Sequence, residues 1–205
     1  MTECKKCGNE YSRDYCDFCR RTEKWNPNKY VSKFPPRIRE DLKTIDIKVS
    51  ANELIFVRSG GGLFINGEIG SGKTLYAVNF LLASLRQTFI KQYGPRVHKF
   101  ITVPDLLEDI RKSFDKETET DPVGFYSNVD LLILDDLGIE KTTDWTLEKL
   151  YQIINFRYEN LKSTIFTSER PLKELAELFG NRIPSRIQKM SMVKRMKEID
   201  YRLEK

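Results

Sequence analysis

The sequence predicts an α/β protein, a parallel sheet between helices in three layers, preceded by a small module built on cysteines. Three stretches predict it. Gly67-Glu68-Ile69-Gly70-Ser71-Gly72-Lys73-Thr74 fits G-x-x-x-x-G-K-[ST], a phosphate-binding loop that joins a strand to a helix. Leu131-Leu132-Ile133-Leu134-Asp135-Asp136 places an apolar run before two carboxylates, as expected of a parallel strand buried on both faces with its ligand end acidic. Cys4-x₂-Cys7 and Cys16-x₂-Cys19 bring all four cysteines into the first nineteen residues.

The chain of 205 residues is long enough for one ordinary domain and a small appendage, with 40% apolar and 32% charged residues. No apolar run reaches the ~18 residues of a membrane span and the start carries no apolar signal core, so a cytoplasmic protein without a membrane partner is expected. The formal net charge of +5 is concentrated. Residues 20–39 hold seven Lys or Arg against one Glu, and residues 182–205 hold eight against three acidic residues. Such clusters suit contact with nucleic-acid phosphates, and they equally suit a solvated surface and a basic linker.

Taken in order, residues 1–22 read as a Cys4 zinc module. Each C-x-x-C pair supplies two thiolates from one tight turn, and four make a tetrahedral Zn²⁺ site from Cys4, Cys7, Cys16 and Cys19. The eight-residue spacer demands a compact module that metal would fold. A disulfide or a thioredoxin-like redox pair is the competing reading, the latter without its βαβ setting. The one histidine, His98, is distant and reads as structural. Residues 23–50 read as a basic and aromatic linker, in which Pro27, Pro35 and Pro36 disfavour continuous helix. Trp25, Tyr30 and Phe34 are interleaved with the basic residues, which suits stacking on bases and equally suits packing on the chain's own domain or on a partner.

The remaining residues, 51–205, form the main domain. Residues 45–57 read as a helix or short strand covering the core. Leu63-Phe64-Ile65 is a short buried strand, and Leu75, Val78, Leu82, Leu85 and Phe89 share a face of the helix after the loop. A strand over 97–103 and a helix opened by Pro104-Asp105 and carrying Leu106, Leu107, Ile110 and Phe114 follow. Residues 115–130, polar and acidic with Pro122 and Gly124, read as a loop or short excursion. After the acidic strand, Trp145, Leu147, Leu150, Ile154, Tyr158 and Leu161 line a long helix, and Thr164 to Ser168 is another buried strand. Pro171 starts a helix bearing Leu172, Leu175 and Leu178 that stops near Gly180, and a short strand lies near Met192.

The chemistry follows from residue types. Gly67, Gly70, Ser71 and Gly72 let backbone N–H groups close around phosphate oxygens, Lys73 adds charge at the terminal phosphates, and the Thr74 hydroxyl can ligate Mg²⁺. The helix N-terminus points unpaired donors and partial positive charge at the same anion. Asp135 would hold Mg²⁺ through its water shell, and Asp136 would orient or deprotonate an attacking water.

The order of these pieces resembles the AAA+ ATPases, and among them the DnaC/DnaI-type replicative helicase loaders and the IstB transposition ATPases. The likeness rests on the loop, on Leu131 to Gly138, on Ile154-Asn155-Phe156-Arg157-Tyr158-Glu159-Asn160, on Thr164 to Ser168, on Arg182 to Ile187 and on Asp200-Tyr201-Arg202. It implies an AAA+ core without a full lid domain that binds ATP or ADP with Mg²⁺. It makes Arg186 an arginine finger acting on a neighbouring subunit, hence self-association, and Arg202 a second sensor touching phosphate in its own subunit. One position departs from the pattern. Glu169 stands where the family has a first-sensor asparagine, so Ser168 takes that role or hydrolysis is slow. The resemblance implies an ATPase that places a hexameric replicative helicase on single-stranded DNA. An IstB-like helper of a transposase, a small phosphoryl-transfer kinase and an adaptor that binds ATP but scarcely hydrolyses it are the other expectations.

Overall fold

The computed structural model describes residues 2–3, 10–11, 17–45, 48–91, 96–115 and 121–196. Its contacts divide the chain into two units, one of residues 1–46 and 81–96 and one of residues 47–80 and 97–205. In the first, β1 (Thr2–Glu3) pairs antiparallel with β2 (Glu10–Tyr11), followed by α1 (Asp17–Lys24), α2 (Asn28–Val31) and α3 (Pro36–Thr44). The prolines expected to interrupt a continuous helix stand at the junctions between α1, α2 and α3, where they also begin helices. Pro27 is the residue before α2 and Pro36 the first residue of α3, positions where a missing N–H costs nothing and a fixed φ favours the turn. The aromatics pack within their own unit: Trp25 stacks on Tyr30 with ring centres 5.2 Å apart and leans on Phe89 at 5.7 Å. Arg21 Nε donates to the Ile90 carbonyl at 2.7 Å, and Phe34 is buried.

The second unit is built on five parallel strands. Its elements are α4 (Ala51–Arg58), β3 (Gly62–Asn66), α5 (Lys73–Lys91, residues from Leu81 onward belonging to the first unit), β4 (His98–Thr102), α6 (Val103–Asp115), α7 (Pro122–Asn128), β5 (Leu131–Asp135), α8 (Asp144–Glu159), β6 (Ser163–Ser168), α9 (Leu172–Phe179), α10 (Arg182–Met190) and β7 (Ser191–Arg195). The sheet order is β4-β5-β6-β3-β7. Register aligns Phe64 with Phe166 and Phe166 with Leu134, so β3, β5 and β6 finish together at one edge. One cluster gathers Phe64, Leu132, Leu134 and Phe166 with Leu106, Leu150, Ile154, Leu175 and Ile187 from the helices. The alternate residues Leu63, Ile65, Ile133 and Ile165 point the other way and are equally hidden, so the sheet is covered on both faces, each such side chain contributing roughly 1.5–3 kcal/mol.

Several expectations shift. Residues 115–130 are not all loop: Asp121 caps α7 by accepting from the Gly124 N–H at 2.9 Å, and Tyr126 is buried. Phe114 and Leu161, placed on buried stripes by periodicity, are 68% and 72% exposed. Phe89 is 40% exposed, and α5 buries Tyr76, Ala77, Val78 and Phe80 beside Leu75. The place given to Leu161 on the α8 stripe falls to Arg157, fully buried one turn beyond Ile153 and Ile154. Arg157 donates to carbonyls that α7 leaves unpaired at its C-terminus: Tyr126 at 2.9 Å, Ser127 at 3.0 Å and Val129 at 2.8 Å. It also reaches Thr164 Oγ1 at 2.9 Å and the Ser163 carbonyl at 2.6 Å, tying α7 and α8 to the start of β6. Burial lowers its pKa to about 9, which still leaves it charged at neutral pH.

Arg157→Met keeps the stem but strands these buried carbonyls. It is expected to destabilise the protein by about 3–5 kcal/mol in urea denaturation. A loss below about 1 kcal/mol would mean that water satisfies them.

Candidate functional site

The site lies at the shared edge where β3, β5 and β6 end. After β3 the chain turns through Gly67 to Gly72 and enters α5 at Lys73. Gly70 and Gly72 sit at φ 83° and 82°, a left-handed conformation that side chains rarely tolerate, so two positions of the loop require glycine. A Cβ on Gly67 would meet Ser71 Oγ and Met196 Cβ at 3.0 Å. Lys73 is 6% exposed and donates to the Gly67 and Glu68 carbonyls at 2.9 and 2.7 Å, so its charge lies inside the loop. Ser71 Oγ is buried with no hydrogen-bond partner among the described residues. An ammonium, an orphaned hydroxyl and two left-handed glycines at a helix N-terminus fit a polyphosphate.

The acidic strand meets this loop. Thr74 donates to Asp135 Oδ2 at 3.0 Å, so the two residues expected to share a cation already touch. Thr167, at the end of β6, donates to Asp135 Oδ1 at 2.6 Å, and its oxygen accepts from the Asp136 N–H at 2.9 Å. The Leu137 N–H donates to the Thr167 carbonyl at 2.8 Å, and Asp136 is held at φ 60°, strained for a side-chain-bearing residue. Thr167 therefore fixes the Asp135 carboxylate and the backbone that carries Asp136. The sequence reading missed it because a threonine in a β-strand looks like ordinary β-propensity; its signal is the polar position beside Ser168 at the ligand end of an apolar strand.

Asp135 is 3% exposed, and its carboxyl is pushed up to about 6, chiefly by burial and next by the charge of Asp136. Hydrogen bonds from Thr167 and Thr74 and the charge of Lys73 oppose the rise. A hard divalent cation suits this donor set of hydroxyl and carboxylate oxygens.

Ser168 is fully buried; it donates to the Leu137 carbonyl at 2.6 Å and accepts from the Arg170 N–H at 3.1 Å. Its hydroxyl is occupied in holding the turn after Asp136, and Glu169 beside it is exposed. Arg186 stands on α10 and contacts Tyr151 and Asn155 of α8, not the phosphate loop. Of the four cysteines only Cys19 is described, buried in α1, while Cys4, Cys7 and Cys16 lie outside the described residues, as does Arg202. No group of three or more metal-ligating side chains occurs among the described residues, and no described helix is long and apolar enough to cross a membrane.

Loop, helix dipole and paired carboxylates on a parallel sheet define a P-loop nucleotide-binding protein of AAA+ type. A family model described as IstB-like ATP binding protein matches residues 14–204, and the chain belongs to that family. It is similar to the crystal structure of the DnaC helicase loader at 27% identity and a TM-score of 0.60, over 88% of this chain and 98% of that one. Among curated proteins, it is 26% identical to the replicative helicase loader DnaI of Bacillus subtilis (strain 168) over 71% of this chain and 44% of that protein. It is also 28% identical to the chromosomal replication initiator protein DnaA of Deinococcus deserti (strain DSM 17065 / CIP 109153 / LMG 22923 / VCD115), over 62% of this chain and 26% of that protein. The chain thus spans less than half the length of either curated relative.

The raised carboxyl has a consequence for stability. Because the folded value lies above the ordinary 3.8, the favourable contribution of Asp135 is complete below about pH 4 and lost as pH rises through 6. Asp135→Asn is therefore expected to stabilise the protein without nucleotide by on the order of 2–3 kcal/mol at pH 7.5 and hardly at pH 3.5, read by urea denaturation. An equal effect at both pH values would contradict the assignment.

Proposed function

We propose that the protein is a Mg²⁺-dependent ATPase that uses nucleotide state to control the loading of a hexameric replicative helicase onto single-stranded DNA. The observation that carries this reading is the contact between Thr74 and Asp135, which joins the phosphate loop to the acidic strand at 3.0 Å. The extent of the likeness to the DnaC helicase loader supports the helicase step.

In this reading ATP phosphates lie along Gly67, Gly70, Ser71 and Gly72, with Lys73 neutralising the terminal charge. Thr74 and Asp135 are the residues that would hold Mg²⁺, which would supply positive charge at the transferred phosphate. Asp136, fixed by Thr167, orients the attacking water, while Ser168 shapes the turn that carries it. Arg186 serves a neighbouring copy and Arg202 its own. Nucleotide binding favours assembly and DNA contact through the basic segments; hydrolysis releases them. An IstB-like role beside a transposase is the second reading, favoured by the family model itself.

The test is ATP-dependent co-purification of the chain with a hexameric helicase. Association with Mg²⁺ and a non-hydrolysable ATP analogue, lost in Lys73→Ala through loss of nucleotide binding, is the expected result. No association in any nucleotide state would defeat the helicase reading while leaving the ATPase site intact.

Residues 1–22 are assigned to a Cys4 zinc module that, with the linker over 23–50, engages the helicase ahead of the ATPase domain at 51–205. Thiolates are soft donors suited to zinc. Elemental analysis of the purified chain should find one zinc, lost in Cys19→Ser; metal-free protein of unchanged stability would remove the module.

A further inference from the structure

Arg186 is held by contacts to every part of its guanidinium. Nε donates to Asn155 Oδ1, one terminal nitrogen to the Arg182 carbonyl at 3.0 Å and the other to the Tyr151 hydroxyl at 2.8 Å. The guanidinium carbon lies 4.7 Å from the centre of the Tyr151 ring. Tyr151 and Asn155 are four residues apart on α8, so they share one helical face. An arginine side chain has many rotamers, and a residue that must meet a phosphate in one orientation performs better when that freedom is already lost. These three bonds use one N–H on each nitrogen. A guanidinium has five, so one donor remains on each terminal nitrogen. None of these partners belongs to the phosphate loop or β5.

We propose that Tyr151 and Asn155 are positioning residues that hold the Arg186 guanidinium in one pose, its remaining donors kept for a nucleotide phosphate bound by a second copy of this chain. The proposal rests on the reading of Arg186 as acting between subunits. The Tyr151 ring supports the flat face, its hydroxyl and Asn155 fix rotation in the plane, and the Arg182 carbonyl one turn earlier on α10 anchors the remaining edge. Neither Tyr151 nor Asn155 touches nucleotide.

The experiment measures steady-state Mg·ATP hydrolysis by the full chain as protein concentration is raised to a plateau, with ATP affinity measured in parallel. Arg186→Ala should abolish the rise with concentration. Tyr151→Ala and Asn155→Ala should lower plateau kcat about 10-fold with KM and ATP affinity unchanged, and Tyr151→Phe, which keeps the ring, should lose less. In the Arg186→Ala background neither change should cost anything more. If Arg186→Ala lowers kcat while Asn155→Ala and Tyr151→Phe both stay within about twofold of wild type, the positioning role is overturned and the inter-subunit reading stands. A further loss in the Arg186→Ala background assigns both residues to structure and also overturns it. Hydrolysis that is indifferent to Arg186 removes proposal and reading together.

Discussion

A carboxylate kept almost wholly out of water is the constraint on which the site depends. Asp135 ends a strand whose every residue is buried, and an ionised group there is costly unless its oxygens are engaged. Thr74 and Thr167 each take one oxygen, and Lys73 lends its charge nearby. Those partners come from the first turn of α5 and the end of β6. The burial that makes the sheet stable therefore forces the phosphate loop, the acidic strand and the neighbouring strand into one cluster. Asp136 follows from it: the hydroxyl that satisfies Asp135 also receives the Asp136 N–H and keeps that residue at a strained φ.

Two arginines divide the labour of α8 and its surroundings. Arg157 is spent on structure, with its donors turned inward to carbonyls at the end of α7 and the start of β6. Arg186 is the opposite case, partly exposed and braced from the outside of the same helix by Tyr151 and Asn155. α8 thus carries a buried cation on one face and braces a surface cation with another, and both depend on planar, multidentate donors that lysine lacks.

Most of the sheet was legible because buried parallel strands are short apolar runs, and Leu131 to Leu134 or Leu63 to Ile65 have no other stable use. The phosphate loop was legible because its glycines answer to backbone geometry, as φ at Gly70 and Gly72 bears out. In residues 23–50 the prolines marked where helix is interrupted but not that helices resume from them, as α3 does at Pro36, because a proline in the first turn needs no N–H partner. Helix periodicity failed where a polar group belongs on the apolar stripe: Arg157 follows Leu150, Ile153 and Ile154 in register, and three of the carbonyls it serves, on Tyr126, Ser127 and Val129, lie about thirty residues before it. Thr167 escaped for the same reason, since a hydroxyl's worth is set by what the fold places opposite it. The braces on Arg186 lie more than thirty residues before it, beyond any local pattern.

The most direct test of the central claim is a crystal structure of the chain with Mg²⁺ and a non-hydrolysable ATP analogue. Phosphate oxygens are expected on the amides from Gly70 to Thr74, with Lys73 drawn from the loop carbonyls to the terminal phosphate. A cation is expected at Thr74, with Asp135 reaching it through water and Thr167 still holding Asp135 and the backbone of Asp136. Nucleotide bound elsewhere, or a phosphate loop with Lys73 and the Thr74–Asp135 contact unchanged, would contradict the claim.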